Sequence, residues 1–230
     1  MRRIHILGLV LALASLLALA ACAPFGGPGY GQQYPYGQSG GFGPGGGMMG
    51  GGWGSYGPNP NRNAPQLTID QAADSARRYL SGSGGRLVLA EVMDFDLNYY
   101  AEVEEKDTGI HAMELLINKY TGAVSPEIGP NMMWNTKYSI MGGMMGSYGR
   151  GPATPDMPVA AGQAMTIAQQ YLDANLPGLT VAEADKFYGY YTLHTLKNGV
   201  VDGMLSVNGY NGAVWYHTWH GAFIDMKEYE

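Results

Sequence analysis

Methionine and histidine are the residues whose type and spacing could do chemistry in this chain. Seven of the 14 methionines fall in short clusters flanked by Gly or Asn: Met48-Met49, Met132-Met133, and Met141 with Met144-Met145. Thioethers are soft ligands that select Cu(I) over harder ions. Met141-Gly142-Gly143-Met144-Met145 places three sulfurs on one Gly-rich segment able to wrap an ion. Trp134, just after Met132-Met133, adds an aromatic face that can cover a soft cation. The competing account is that flexible Met-rich segments are adaptable apolar contact surface. The other dense spot is Trp215-Tyr216-His217-Thr218-Trp219-His220-Gly221, where His217 and His220 are candidate ligands for copper or zinc. On one strand, residues three apart point to opposite faces. The pair can therefore share an ion only if the strand ends by Thr218, which Gly221 permits. The simpler expectation is an aromatic strand with Trp215, His217 and Trp219 inward and Tyr216 and His220 outward. His111 and His194 lie within strand patterns and read as half-buried polar groups.

Nothing in the chain reads as a catalytic constellation. A hydrolase needs a nucleophile, a base and an orienting group, and there is no Gly-x-Ser-x-Gly, His-Glu-x-x-His or phosphate-loop motif. Glu104-Glu105 sit beside a turn and are most simply a solvated edge. The expectation is a non-enzymatic protein with no cofactor, Cu(I) on the methionines being the metal reading.

The elements that must position these residues are written twice. Gln71-Ala72-Ala73-Asp74-Ser75-Ala76-Arg77-Arg78-Tyr79-Leu80 returns 92 positions later as Gln163-Ala164-Met165-Thr166-Ile167-Ala168-Gln169-Gln170-Tyr171-Leu172. At an offset of 90, Asn118-Lys119-Tyr120-Thr121-Gly122-Ala123-Val124 meets Asn208-Gly209-Tyr210-Asn211-Gly212-Ala213-Val214. Matches spread over a whole unit mean a duplicated unit, because both copies solve one packing problem. Each copy opens with a helix. In the first, Ile69, Ala72, Ala73, Ala76 and Leu80 share a face. Thr68 and Gln71 form a capping box with Leu67 placed for a staple. Ala160 replaces Thr68 in the second copy, which predicts a weaker start. Strands follow: Tyr99, Ala101 and Val103 alternate with Tyr100, Glu102 and Glu104 in the period of a half-buried strand. Turns are expected at Asp107-Thr108-Gly109 and at Asn198-Gly199. The predicted fold is α+β: two tandem units, each one helix packed on a three- to four-stranded antiparallel sheet. At about 75 residues each unit is marginal alone and should pack against its twin.

Residues 1–21 read as an export signal, with Arg2 and Arg3 ahead of an apolar run too short to span a membrane. Leu19-Ala20-Ala21-Cys22 resembles the lipobox of bacterial lipoproteins, which implies acylation of Cys22 and anchoring to a membrane. Cys22 is the only cysteine, so no disulfide can staple the fold. Ala23 after it implies, by resemblance to Gram-negative sorting, the periplasmic face of the outer membrane. Residues 22–65 contain no Leu, Ile or Val and read as a Gly/Pro/Tyr-rich flexible tether, with a reach on the order of 35–40 Å. The first unit is placed at 66–138, a Met/Gly-rich linker at 139–156 and the second unit at 157–230. Without residues 1–21 the chain carries 11 basic against 19 acidic residues, which argues against nucleic acid as a partner.

Leu67-Thr68-Ile69-Asp70-Gln71-Ala72-Ala73, the paired tyrosines 99 and 100, and Asn118-Lys119-Tyr120-Thr121-Gly122-Ala123-Val124 together resemble the PepSY domain. The closing Tyr-Thr-Gly-Ala-Val is the most specific piece; the second copy departs from it with Asn211. The resemblance covers roughly 66–126 and 157–216. It implies an envelope protein that binds or regulates a partner, a peptidase or another envelope protein, and it brings no catalytic residues. If the lipobox reading holds, mass spectrometry of the native envelope fraction will find residues 1–21 removed and Cys22 acylated; an unmodified Cys22 would overturn it.

Overall fold

The computed structural model of the chain describes residues 64–139 and 153–229, all within one compact unit, Gly47–Glu230. Cys22, Met48 and Met49 of the tether, and Met141, Met144 and Met145 lie outside the described residues. No described helix is long and apolar enough to cross a membrane.

The first copy comprises α1 (Ile69–Leu80), β1 (Leu87–Phe95), β2 (Tyr99–Glu105), β3 (His111–Ile117) and β4 (Val124–Pro126), followed by the short α2 (Pro130–Met133). The second comprises α3 (Ala161–Asn175), β5 (Leu179–Lys186), β6 (Tyr190–Lys197), β7 (Val200–Asn208) and β8 (Val214–Tyr216), and the chain closes with β9 (Phe223–Glu228). All pairings within the sheets are antiparallel, in the orders β4-β3-β2-β1-β9 and β5-β6-β7-β8. The expected α+β architecture is what the chain adopts.

Local chemistry accounts for the elements. Thr68 and Gln71 close a complete capping box at α1. At α3 only half survives: Ala160 has no hydroxyl, and the Gln163 side chain alone accepts from the Ala160 N–H at 3.2 Å. Asn198 and Gly199 both take positive φ, 54° and 80°, the geometry a two-residue hairpin loop needs between β6 and β7. Gly122, at φ +68°, passes so close under α1 that a Cβ would lie 2.9 Å from Ser75 Oγ.

The duplication holds atom by atom. Tyr99 Oη donates to Leu67 O, and Tyr191 Oη to Val159 O. The Glu127 N–H donates to Glu114 O, and the His217 N–H, 90 positions on, to Met204 O. Each helix lies on one face of its sheet. Ala72, Ala76, Tyr99, Ala101, Val103, Leu115 and Ile117 pack together in the first copy, and Ala164, Ala168, Leu172, Tyr191, Leu193, Leu205 and Val207 in the second.

The opposite faces are not solvated. β2 was expected to be half buried, yet Tyr100 and Glu102 are as hidden as Ala101 and Val103. Met204 of the second sheet packs on Met93, Phe95 and Tyr100 of the first, and Tyr190 and Thr192 donate to Glu114. The two sheets therefore face each other, with the helices outside. Glu105, expected on a solvated edge, is buried and holds Lys137 at 2.5 Å and the Tyr188 hydroxyl at 2.8 Å.

β9 follows the second copy in sequence but pairs with β1 of the first, from Glu91↔Glu228 to Phe95↔Phe223. It covers the edge of β1 and adds Phe223 and Met226 to the packing around Met93 and Phe95. A chain ending at Gly221 should unfold at a midpoint lower by about 5 °C or more, given ~2–4 °C per kcal/mol at this size. It should also self-associate through the bared edge. Thermal unfolding followed by circular dichroism, with size-exclusion chromatography, checks both.

Candidate metal centre

Glu127, His217 and His220 meet between the two sheets. β4 ends at Pro126 and β8 at Tyr216, so Glu127 and His217 leave their strands at equivalent positions of the two copies. Because β8 has ended, strand alternation no longer governs His217 and His220. Gly221, at φ +82°, turns the chain, and Leu97 N–H binds His220 O. This corrects the simpler expectation: His220 is buried rather than outward, and Trp215 is 39% exposed rather than inward.

The side chains of Glu127 and His217 are fully buried and that of His220 is 2% exposed. His220 Nε2 lies 3.0 Å and His217 Nδ1 3.7 Å from Glu127 Oε1. One donor atom from each residue can be chosen with all three within 4.8 Å of one another. An ion about 2.0–2.2 Å from each ligand holds them roughly 3–4 Å apart, so the spacing suits one cation.

Surrounding hydrogen bonds settle which ring nitrogens are bare. The Asn98 amide donates to Trp219 O at 3.1 Å, which turns its Oδ1 toward His220 Nδ1 at 2.9 Å. His220 must therefore carry its proton on Nδ1, and Nε2 presents a lone pair to Glu127. A hydroxyl relay does the same for His217. Thr192 Oγ1 spends its one proton on Glu114 Oε1 at 2.7 Å, so Ser206 donates to Thr192 and His217 Nε2–H donates to Ser206, both at 3.0 Å. The His217 lone pair is thus on Nδ1, facing Glu127. Trp219 donates its indole N–H to Glu127 Oε1 at 3.0 Å and stacks on His217 at 4.7 Å, while Phe95 stacks on His220 at 4.7 Å. Glu127 Oε2, His217 Nδ1 and His220 Nε2 are buried and have no hydrogen-bond partner. A buried carboxyl and two imidazoles whose bare nitrogens face it, each oriented by a neighbour, describe a ligand set. A cleft of about 460 Å³, walled in part by Phe95, Tyr216 and Phe223, opens onto His217 and His220.

The titration behaviour fits. Burial pushes Glu127 up to about 8, against the indole of Trp219 and the carboxyl of Glu114. Burial takes His220 down to about 3 and His217 well below its ordinary value, with His220 adding to the effect. The centre thus stays neutral without a cation to compensate charge. Tyr100, with one proton and contacts to both Glu102 (2.6 Å) and Glu114 (2.9 Å), requires a carboxyl proton at one of them. Glu114, raised well above the carboxylate range by burial and then by Glu127, is the one that keeps it.

A second polar cluster lies in the same interface. His111 Nδ1 is 2.7 Å from Glu102 Oε2, and its Nε2 is 3.8 Å from Asp185 Oδ1; His194 Nε2 is 3.5 Å from Glu91 Oε1. Burial opposes charge on His111 and His194, but the facing carboxylates, Glu102 and Glu91 foremost, carry both up to about 9. Burial and then Glu102 bring Asp185 up to about 7.

Of the residues singled out from sequence, His217 and His220 come together, and with a partner the sequence reading missed, Glu127. Met132 is buried in α2 and Met133 is 51% exposed on it, so this pair belongs to a helix rather than a loop. Glu91, Glu102, Asp185 and the orienting Asn98 were also missed. One signal was available: Glu127 and His217 stand three residues after the repeated Gly-Ala-Val, a ligating residue at one position in both copies.

Stability should follow these protons. Above about pH 6.5 the folded, metal-free protein still holds protons on Glu127 (about 8), His111 and His194 (about 9) that the unfolded chain has released, so stability falls as pH rises to 9. His220, depressed to about 3, acts the other way and only at lower pH, where the unfolded imidazole takes up a proton that the folded one refuses. Chelator-treated protein should therefore lose unfolding temperature between pH 6.5 and 9, and added Zn²⁺ should flatten the decline; a profile flat without metal would contradict this.

No family model matches the chain, and no curated protein matches it. Among solved structures it is similar to the Bacillus megaterium YpeB C-terminal domain at 14% identity, over 66% of this chain and 62% of that one, with a TM-score of 0.23. The chain thus spans less than two thirds of that structure, and the likeness is loose in both sequence and geometry.

Proposed function

We propose that this protein is a non-enzymatic, lipid-anchored envelope protein whose two PepSY-like copies together bind a divalent transition-metal ion at Glu127, His217 and His220. The observation that carries the reading is the convergence of Glu127, His217 and His220 in the buried interface, with both imidazoles turned by the surrounding network so that bare nitrogens face the carboxyl. In the metal-free protein the single Glu127 proton can serve only one of those nitrogens, so at least one stays unpaired at a cost of about 1–3 kcal/mol, and one cation satisfies both. Two imidazoles and a carboxylate suit Zn²⁺ or Cu²⁺, a harder donor set than the thioethers of the Cu(I) reading.

A second reading, docking of an envelope partner such as a peptidase, is supported by exposed Met133 and Trp215, the latter edge-on to Trp134 at 5.8 Å. Single exposed apolar residues are common on protein surfaces, whereas unpaired buried donors are not. The metal reading is therefore preferred.

Metal-free protein titrated with Cu²⁺ should show quenching of Trp219, whose ring stacks on His217. Glu127→Gln and His220→Asn should each weaken binding by more than about 100-fold, beyond what losing an orienting neighbour costs. Unchanged affinity in both variants would exclude this centre.

A further inference from the structure

The second cluster shares no residue with the Glu127 centre. Its members come from both copies: Glu91 on β1, Glu102 on β2 and His111 on β3, against Asp185 on β5 and His194 on β6. Glu102 and His194 stand 92 positions apart, the repeat offset, so they occupy the same place on the second strand of each copy. Two triads converge there, Glu91–Glu102–His194 and Glu102–His111–Asp185. Within each, donor atoms lie within 4.8 Å of one another, and Glu102 belongs to both.

An ion-pair network is the simpler explanation, and the geometry does not complete it. Glu91 Oε1, His111 Nδ1 and His194 Nε2 are buried and lack hydrogen-bond partners, although opposite groups stand 2.7 and 3.5 Å away. Charge points the same way. Even with His111 and His194 both protonated, two positive charges face the three carboxylates Glu91, Glu102 and Asp185, so the network is one cation short. Glu91, Glu102 and Asp185 form ion pairs only with histidine among the described residues. The ligands are also pre-set. Tyr100 donates to Glu102 Oε1 at 2.6 Å, leaving Oε2 toward His111, and Phe187 packs on the His111 ring at 5.0 Å.

We propose that Glu91, Glu102, His111, Asp185 and His194 form a second divalent-cation site, separate from the Glu127 centre, that ties the two copies of the repeat together. The two triads share Glu102, and each sets two carboxylates beside one imidazole, a donor set richer in oxygen than the first centre. Such a set takes a divalent ion of the Mn²⁺, Co²⁺ or Zn²⁺ class, with solvent completing its coordination. The site stands on its own geometry and does not depend on the first.

Native mass spectrometry of metal-free full-length chain loaded with Zn²⁺ tests it. The wild type should hold two ions, and His220→Asn and Glu102→Gln one each. His194→Asn should repeat the Glu102→Gln result, so the assignment stands even if one variant fails to fold by circular dichroism. Titration should show the remaining affinity at the second site weakened by more than about 100-fold in both variants. A single ion that survives Glu102→Gln and His194→Asn but disappears in His220→Asn overturns the second site and leaves the first. A single ion with the reverse behaviour supports the second site and removes the first. No bound ion in the wild type overturns both.

Discussion

Everything else in the structure depends on the packing of the two sheets against each other through the faces the helices leave bare. A 75-residue helix-on-sheet unit has one apolar interface and a large exposed sheet face, which leaves it marginal. Pairing the copies covers both faces at once. The second interface is not an ordinary core, since Glu91, Glu102, Glu114, Glu127, His217 and His220 are all buried in or beside it. Buried carboxylates carry a desolvation cost that only protons, hydrogen bonds or cations can offset. The interface uses all three chemistries that these side chains allow: a retained proton on Glu114, hydroxyl donors from Tyr100, Tyr190 and Thr192, and donor sets open to metal.

Divergence of the copies is what makes the interface chemical. The backbone frame repeats, including the hydrogen bonds at Glu127 and His217, but the side chains on it do not. Acids at positions 102 and 127 of the first copy correspond to histidines at 194 and 217 of the second. Two identical copies would set carboxylate against carboxylate or imidazole against imidazole. With an acid in the first copy and a histidine in the second at these two positions, the duplication brings hard oxygen and borderline nitrogen donors together, a mixed set that suits divalent transition ions.

The two clusters differ in what occupies them when no metal is present. At His111 and His194 the facing carboxylates hold protons on the imidazoles well above the ordinary range. Around His217 and His220 burial strips the imidazoles of charge and protonates Glu127 instead. The first arrangement is a charged network in which a cation competes with protons on nitrogen. The second is a neutral cage in which the cation displaces one carboxyl proton. Metal affinity at both is therefore coupled to pH and to the closeness of the two sheets.

The sequence by itself determined the duplication, the helix starts, the hairpin turns and the α+β class, because capping boxes, positive-φ turns and helical periodicity act within a few residues of chain. It also marked His217 and His220 as ligand candidates. Only the tertiary structure decided that Glu102 and Tyr100, polar by alternation, face a twin sheet rather than water, since a period of two reports which face a residue is on but not what covers it. The same limit hid Glu127, about 90 residues from its partners in sequence. The end of β8 at Tyr216, which frees both histidines to turn one way, follows from β8 pairing with only three residues of β7, and strand length is set by the neighbouring strand rather than by local propensity.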